Sequence, residues 1–558
     1  MKRWLSILLC ICAAAAVWAG GEAEATATDS EPLVNESGFP IVTRPITLDA
    51  VAIQQTWSRD WNDMPLFQAY EEQTGIRVEF TMIPQADRRE KVNIMLASGD
   101  YPDMSFTPGL NGRTSEMAAD GVIVPLNDLI DEWAPQIQAM FEEQPIVKPV
   151  CTYPDGNIYS FMRYGNTSHH LRTSSQWYIN TEWLDTLGLD MPETTDEFYD
   201  VLTAFKTGDP NGNGEADEIP LAFWTRGNGE IWEWIRYFGP WGVVDNIMVE
   251  DGVLRWGFTD PGFKEGLKYY QKLYADGLLD LESISQTMAQ VKAKSVVDGV
   301  AKIGVSHALA PQFLYTDPEM IFKYEDSFGT LKTMDMLRVN DEQIIKILPP
   351  LRGPAGHQLW HENVGGGMVA REVAYLYDVN EYPEATTRWM DTWYDGAEMG
   401  QTMLIGPIGV RWFIDEDTGH YQNIDPPEGM NKNEHRAQHA PGSGGFAVGY
   451  YDRYGKITKP PYPEHMMLEE QTEIYLQYVP EESWPPNFII PTPEESDFIN
   501  QYEEEMLGYV WETMARFIFT DADIDNEWPD FVSQLERMRS DEILEIRQEQ
   551  YDRYLSNF

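Results

Sequence analysis

The chain is poor in cysteine and in positive charge, and past its first residues it has no long apolar run. Cys10 and Cys12 fall in the N-terminal segment, so removing that segment leaves Cys151 alone and no internal disulfide can form. Stability must then come from packing. With 558 residues, 42% hydrophobic and 13% aromatic, the chain can bury a large core and divide into two or more domains. Only 40 Lys and Arg stand against 91 Asp and Glu, a formal charge of -51 that repels nucleic acid phosphates and anionic lipid surfaces and excludes a nucleic-acid partner. Such a surface suits simple solubility, and equally a salty or alkaline medium. After residue 20 no stretch approaches the ~20 apolar residues of a membrane helix. Catalytic signatures are missing too. There is no HExxH, P-loop or GxGxxG, and PGSGG at 441–445 has Pro441 where GxSxG needs its first glycine. Acidic pairs of the kind a glycosidase needs arise by chance among so many acids and carry no weight.

What is present begins with Lys2 and Arg3, an apolar run from Trp4 to Trp18, and Val17 and Ala19 ahead of Gly20. This pattern predicts an export signal, 1–19, cut after Ala19. Leu9 and Ile11 precede the two early cysteines where a lipobox wants a small residue. A soluble exported chain is therefore expected, with lipid anchoring left open. Residues 20–44, rich in Ala, Thr, Glu and Pro without periodicity, read as a flexible tether.

Beyond it, ITLDAVAIQQTW, MPLFQAYEEQTG, IRVEFTMI, RREKVNIMLASG and DMSF read as β-α-β-α-β, the order of an α/β domain whose ligands bind beyond the carboxyl ends of parallel strands. Further on, Thr194 and Glu197 form a capping box for a helix with Phe198, Val201, Leu202 and Phe205 on one face. PGFKEGLKYYQKLYADGLLD is a second amphipathic helix, and from Glu494 to Phe558 the pattern is mostly helical.

Between these helices lies GDPNGNGEADE, 208–218. Asp209, Asn211 and Asn213 alternate, Gly214 permits a sharp turn, and Asp217 and Glu218 return carboxylates to the same centre. With the Glu215 carbonyl this is a set of hard oxygen donors suited to Ca²⁺ in a structural role. The start fits an EF-hand loop, but the twelfth position is Pro220, so Glu218 at the tenth must supply any bidentate carboxylate. No His or Cys lies near to suit zinc.

WYINTEWLDTLGLDMPETTDEFYDVLTAFKTGDPNGNGEADEIPL resembles the signature of the family 1 extracellular solute-binding proteins of the LplA and YtcQ type, whose relatives include alginate-oligosaccharide-binding proteins. LASGDYPDMSF, DGVIVPLNDLIDEWAP, DGNIYSF, KEGLKYYQKLYADGLLD and PPLRGPAG match as well, so the similarity covers almost all of the mature chain. The resemblance implies a two-lobed α/β fold of the periplasmic binding protein type, class II, with hinge segments and a helical C-terminal region. It also implies closure on an oligosaccharide, delivery to the transmembrane subunits of an ABC permease, and the calcium ligands Asp209, Asn211, Asn213, Glu215, Asp217 and Glu218. On that basis the first lobe comprises 45–160 plus 345–400, the second 165–343 plus 401–558, and hinges fall near 157–165 and 344–350. The chain is expected to be a periplasmic or extracytoplasmic monomer without enzymatic activity. A secreted glycoside hydrolase or lyase, and a sugar-sensing subunit of a membrane receptor, remain open at this point.

Flat aromatic rings stack on the C–H faces of sugars while polar side chains bond the hydroxyls. Most of the 19 Trp are ordinary core. Those in breaker-rich loops are better candidates: Trp57 and Trp61 with Arg59 and Asp60 after the first strand, then Trp224, Trp234 and Trp241. Trp360 with His361 and Trp412 with Arg411 complete the candidate ligand-binding set.

Overall fold

A computed structural model describes residues 32–558 apart from 56–57, 166–171, 174, 226–231, 309–322, 326–330, 334–344, 365–368, 417–420, 431, 443–446, 452–470 and 557. The export signal and 20–31 of the tether lie outside the described residues. Two sheets organise the rest. Their strands are β1 (Ile46–Gln54), β2 (Ile76–Pro84), β3 (Met104–Phe106), β4 (Phe161–Gly165), β5 (Gln176–Asn180), β6 (Ile219–Ala222), β7 (Ile303–Ala308), β8 (Ile345–Leu348), β9 (Val369–Leu376) and β10 (Gly449–Tyr451).

The expected β-α-β-α-β order is present. Helix α1 (Pro65–Thr74) has proline in its first turn and stops at Gly75, whose φ of 76° is left-handed. Helix α2 (Arg88–Ser98) stops in the same way at Gly99. These crossovers make β1 parallel to both β2 and β3, so its second half is buried on both faces. The sheet continues in the order β10-β4-β9-β3-β1-β2, with β9 antiparallel to β3 and β4. The second sheet runs β8-β5-β7-β6, with β7 parallel to β6 and antiparallel to β5. Helix α3 (Thr195–Thr207) has both halves of the capping box and buries Phe198, Val201, Leu202 and Phe205. Helix α4 (Pro261–Ala275) packs on the long α5 (Pro493–Phe519), which is followed by α6 (Ile524–Arg537) and α7 (Ser540–Leu555).

Each sheet has its own hydrophobic core, and the cores redraw the expected lobe boundaries. Strand β8 pairs with β5, so 345–348 belong to the second lobe, where Ile347 lies opposite Tyr178. Met403, Leu404, Ile405 and Trp412 pack in the first core and β10 pairs with β4, so much of 401–451 belongs to the first lobe. Residues 161–165, expected near a hinge, form β4, and the chain passes from the first sheet to the second between β4 and β5 and returns to the first between β8 and β9. The tether is also shorter than expected, since Val34, Ile41 and Val42 are buried in the first core. Strand partners hundreds of residues apart decide these points, and composition does not reveal them.

A further segment joins the lobes. Phe488 packs in the first core and Ile489 in the second. Arg371 of β9 donates to the carbonyls of Asn487 and, at 2.9 Å, of Ile489, while Arg553 of α7 donates to the Ile490 carbonyl at 3.2 Å. Residues 484–491 thus form a strap whose backbone is held from both sides.

In the first lobe, Asp391 accepts from the N–H groups of Gln136 (3.0 Å) and Ile137 (2.9 Å) at the start of the helix Pro135–Glu143. Burial pushes its carboxyl up to about 7, against the opposing effect of those two hydrogen bonds. The folded state therefore holds this proton more tightly than the unfolded chain. The stabilisation is full below pH ~4 and is lost as pH rises through about 7. Asp391→Asn keeps an acceptor for the helix start without the charge. Its melting temperature should match the parent near pH 4 and exceed it at pH 8, by the equivalent of ~2–4 kcal/mol. Calorimetry across that range measures the difference, and a constant difference would rule out a titrating Asp391.

Candidate functional site

Strands β6 and β7 run side by side, so their carboxyl ends meet at one edge of the second sheet, where open α/β sheets bind ligands. Beyond that edge lies a cavity of about 1040 Å³, at the upper end of the range for small-ligand sites. Trp224, two residues past β6, lies against it. Its ring stacks on His307 of β7 with centroids 4.8 Å apart and planes within 11°, and its Nε1 donates to the His307 carbonyl at 2.7 Å. Thr225 N–H donates to the Gln286 carbonyl at 2.9 Å, and Gln286 Nε2 donates to the Phe223 carbonyl at 2.6 Å. This end of β6 is therefore pinned into one path.

A second wall carries Asp245, Asn246 and Trp256, from the hairpin region after Trp241, together with Arg236 and His361. His361 Nδ1 lies 3.1 Å from Asp245 Oδ2. Burial, with a smaller contribution from the charge of Arg236, holds the imidazole pKa below its usual value. The ring is thus neutral near pH 7, donates from Nδ1 to Asp245 and keeps Nε2 as an acceptor. A third wall is formed by the strap and the C-terminal helices, through Trp484, Asn487, Glu503 and Arg547. Arg547 of α7 grips Glu503 of α5 with Nε at 3.2 Å and Nη2 at 2.6 Å, gives Nη1 to Gln550 at 3.0 Å, and lies 5.9 Å from the Trp484 ring centre. The site thus offers amides, hydroxyls and aromatic surface, and its two carboxylates are engaged with a histidine and an arginine.

Of the residues expected from sequence, Trp224 and His361 line this cavity. Trp57 lies outside the described residues. Asp60 caps a short turn by accepting from Asn62 N–H at 2.9 Å, and the Arg59 backbone N–H donates to the Ala437 carbonyl at 3.2 Å. Five other expected Trp are core instead. Trp61 packs among Phe67, Phe80 and Phe106 in the first lobe, and Trp412 is buried there with its Nε1 on the Gly406 carbonyl at 2.7 Å. Trp234, Trp241 and Trp360 are packed in the second core against Phe223, Tyr269 and Tyr475. Arg411, 4% exposed, lies 2.5 Å from His435 Nδ1 and donates to the Ile405 carbonyl. Breaker-rich flanks attract aromatic anchors as readily as ligand platforms, which is why these residues misled. Sequence reasoning missed Arg236, Asp245, Asn246, Trp256, Trp484, Glu503 and Arg547. Trp484 had a usable signal, an aromatic beside Pro485 and Pro486. The others carry none.

The 208–218 loop lies between α3 and β6. Asp209 adopts φ 47° and accepts from the N–H groups of Asn213 (3.1 Å) and Gly214 (3.0 Å), and Gly214 takes φ 77°. The amides of Asn211 and Asn213 donate to Asp217, whose carboxyl is held below the usual range chiefly by the Lys302 ammonium. Among the described residues no three His, Cys, Asp or Glu side chains converge in a metal cage, so any ion here must also draw on amide and peptide oxygens. One observation fits a cation-binding role. Glu218 Oε1 is buried and accepts no hydrogen bond.

Residues 60–310 match the family model described as bacterial extracellular solute-binding protein. Over 572 aligned residues, spanning 100% of this chain and 99% of the relative, the chain is 29% identical to the fructooligosaccharide ABC transporter substrate-binding protein FusA of Streptococcus pneumoniae. It is 26% identical to the polygalacturonan/rhamnogalacturonan-binding protein YtcQ of Bacillus subtilis over 224 residues, 39% of this chain and 42% of that one. The solved structure of FusA in complex with kestose superposes with a TM-score of 0.72 at 29% identity, covering 92% of this chain and 100% of that chain. An EF-hand mutant of FusA in complex with fructo-nystose gives 0.72 at 28% identity with the same coverage.

Arg547→Met would leave the largely buried Glu503 carboxylate without its partner and should lower stability by about 2–4 kcal/mol. Arg547→Met with Glu503→Leu should recover most of that loss. Chemical denaturation of both variants decides it, and equal losses would mean that the pair acts only through packing.

Proposed function

We propose that the chain is a bacterial extracellular solute-binding protein that captures an oligosaccharide between its two lobes and delivers it to the transmembrane subunits of an ABC importer, a reading supported by the family-model match over 60–310 and by the full-length similarity to a sugar-binding relative. The carrying observation is the 1040 Å³ cavity beyond the carboxyl ends of β6 and β7, lined by indoles, amides and hydroxyls and bounded by the strap that joins the lobes. Burial of sugar C–H surface against Trp224, Trp256 and Trp484 supplies affinity, and the polar groups supply orientation, because each hydrogen bond to a hydroxyl replaces one to water. It is a binding protein and not an enzyme. Full-length similarity to a fructooligosaccharide-binding protein supports the substrate class, and the family supports an extracytoplasmic location, free or lipid-anchored.

The 208–218 loop is read as a structural calcium site held by Asp209, Asn211, Asn213, the Glu215 carbonyl, Asp217 and Glu218. Its donor chemistry supports this, as does the buried, unpartnered Glu218 oxygen. Bound calcium would neutralise these oxygens and tie the end of α3 to the start of β6, the strand that leads to Trp224.

Closure follows from ligand contacts to both lobes, which favour the closed state. A panel of oligosaccharides headed by kestose should include one that raises the melting temperature and reduces the radius of gyration in small-angle scattering. A thermal shift at saturation without compaction would mean a rigid site. Shortening of the sugar chain would overturn the transport reading. Separately, calcium at a hundred- to thousandfold excess over its Kd should stabilise the protein by about 3–4 kcal/mol, an effect that a chelator or Asp209→Ala removes. A melt insensitive to both would reduce the loop to a turn.

A further inference from the structure

We infer that the cavity takes an uncharged oligosaccharide and rejects uronic acid chains, an inference that rests on reading this cavity as the sugar site. Its described lining carries two guanidinium and two carboxylate groups. The guanidinium of Arg547 already holds Glu503 through Nε and Nη2 and Gln550 through Nη1. A ligand carboxylate could take that fork only by displacing Glu503, whose side chain is 17% exposed, and the displaced carboxylate would then lack compensation in a dry site. The other lining guanidinium, Arg236, shares its wall with the carboxylate of Asp245, and His361 between their influences is neutral. Two cations thus face two anions, which leaves no surplus positive charge among the described lining residues to receive a polyanion.

Two acceptors on the wall point the same way. Asn246 Oδ1 is buried and accepts no hydrogen bond. His361 gives its Nδ1 proton to Asp245 and keeps Nε2 as an acceptor. Acceptors need donors, and a buried acceptor left unmatched costs about 1–3 kcal/mol. A sugar hydroxyl donates, whereas a carboxylate cannot. Ser175 and Thr225, also on the lining, act as donor or acceptor and adapt to either sense of a hydroxyl. The charge of the whole chain, -51, adds an opposing field at long range. This wall is therefore complementary to a polyol.

The test is calorimetric titration and thermal shift of the mature protein with neutral trimers and tetramers (kestose, nystose, maltotriose, cellotriose, xylotriose) and with trigalacturonate and an alginate trimer, each at low and at physiological salt. At least one neutral probe should bind at least a hundredfold more tightly than either uronate, with an affinity insensitive to salt. Uronate binding within tenfold of the best neutral probe, weakening as salt rises, would overturn the inference while leaving the oligosaccharide reading intact. Silence from every probe would overturn that reading and the inference with it. Glu503→Gln gives an independent check, since it frees Arg547 from its partner and should strengthen trigalacturonate binding at least tenfold. No gain in a folded variant would show that the Glu503–Arg547 pair is not what excludes the acid, and would overturn the argument.

Discussion

The stacking of Trp224 on His307 is the contact on which the candidate site depends. It joins the carboxyl ends of two parallel strands, β6 and β7, that are 80 residues apart in the chain and meet only through the sheet. An indole laid flat on an imidazole, with its N–H on the backbone of the partner strand, fixes both the ring and the course of the chain beyond β6. With that end fixed, Thr225 and the start of the helix at Thr287 are held as one wall. The other walls need only approach it. They come from the hairpin region at 245–256 and from the paired helices α5 and α7, cross-linked by Arg547 and Glu503.

Two cores make the lobes separate packing units, and the strap connects both of them to the cavity. Trp484 and Asn487 line the site, and a few residues later the same backbone is gripped by Arg371 of one lobe and Arg553 of the other. A ligand that presses on the strap therefore presses on the joint.

Aromatic content misled in an instructive way. The same property that lets an indole stack on a sugar, a large flat apolar face with one donor, makes it an efficient core filler. Trp61, Trp234, Trp360 and Trp412 are 3% exposed or less, so the turns beside them are anchored by those rings and not decorated with them. Trp224 differs only in what lies opposite. One face meets His307 and the ring borders a cavity, a distinction that belongs to the neighbours and not to the residue.

Sequence alone determined what short-range physics controls. The β-α-β-α-β order, the capping box at Thr194, the glycine stops after α1 and α2 and the alternating oxygen donors of the 208–218 loop all depend on backbone sterics and hydrogen bonds spanning a few residues. The similarity to extracellular solute-binding proteins was legible from the same motifs. Tertiary structure alone decided which strands pair, and so which segments share a lobe: β8 lies in the second sheet and β9 in the first, though only 20 residues separate them. It also decided which charges meet. Glu503 and Arg547 stand 44 positions apart, and Asp245 and His361 more than a hundred. A cavity exists where surfaces from distant segments fail to close, and no local pattern encodes such a gap, because its shape is set by packing summed over the whole chain.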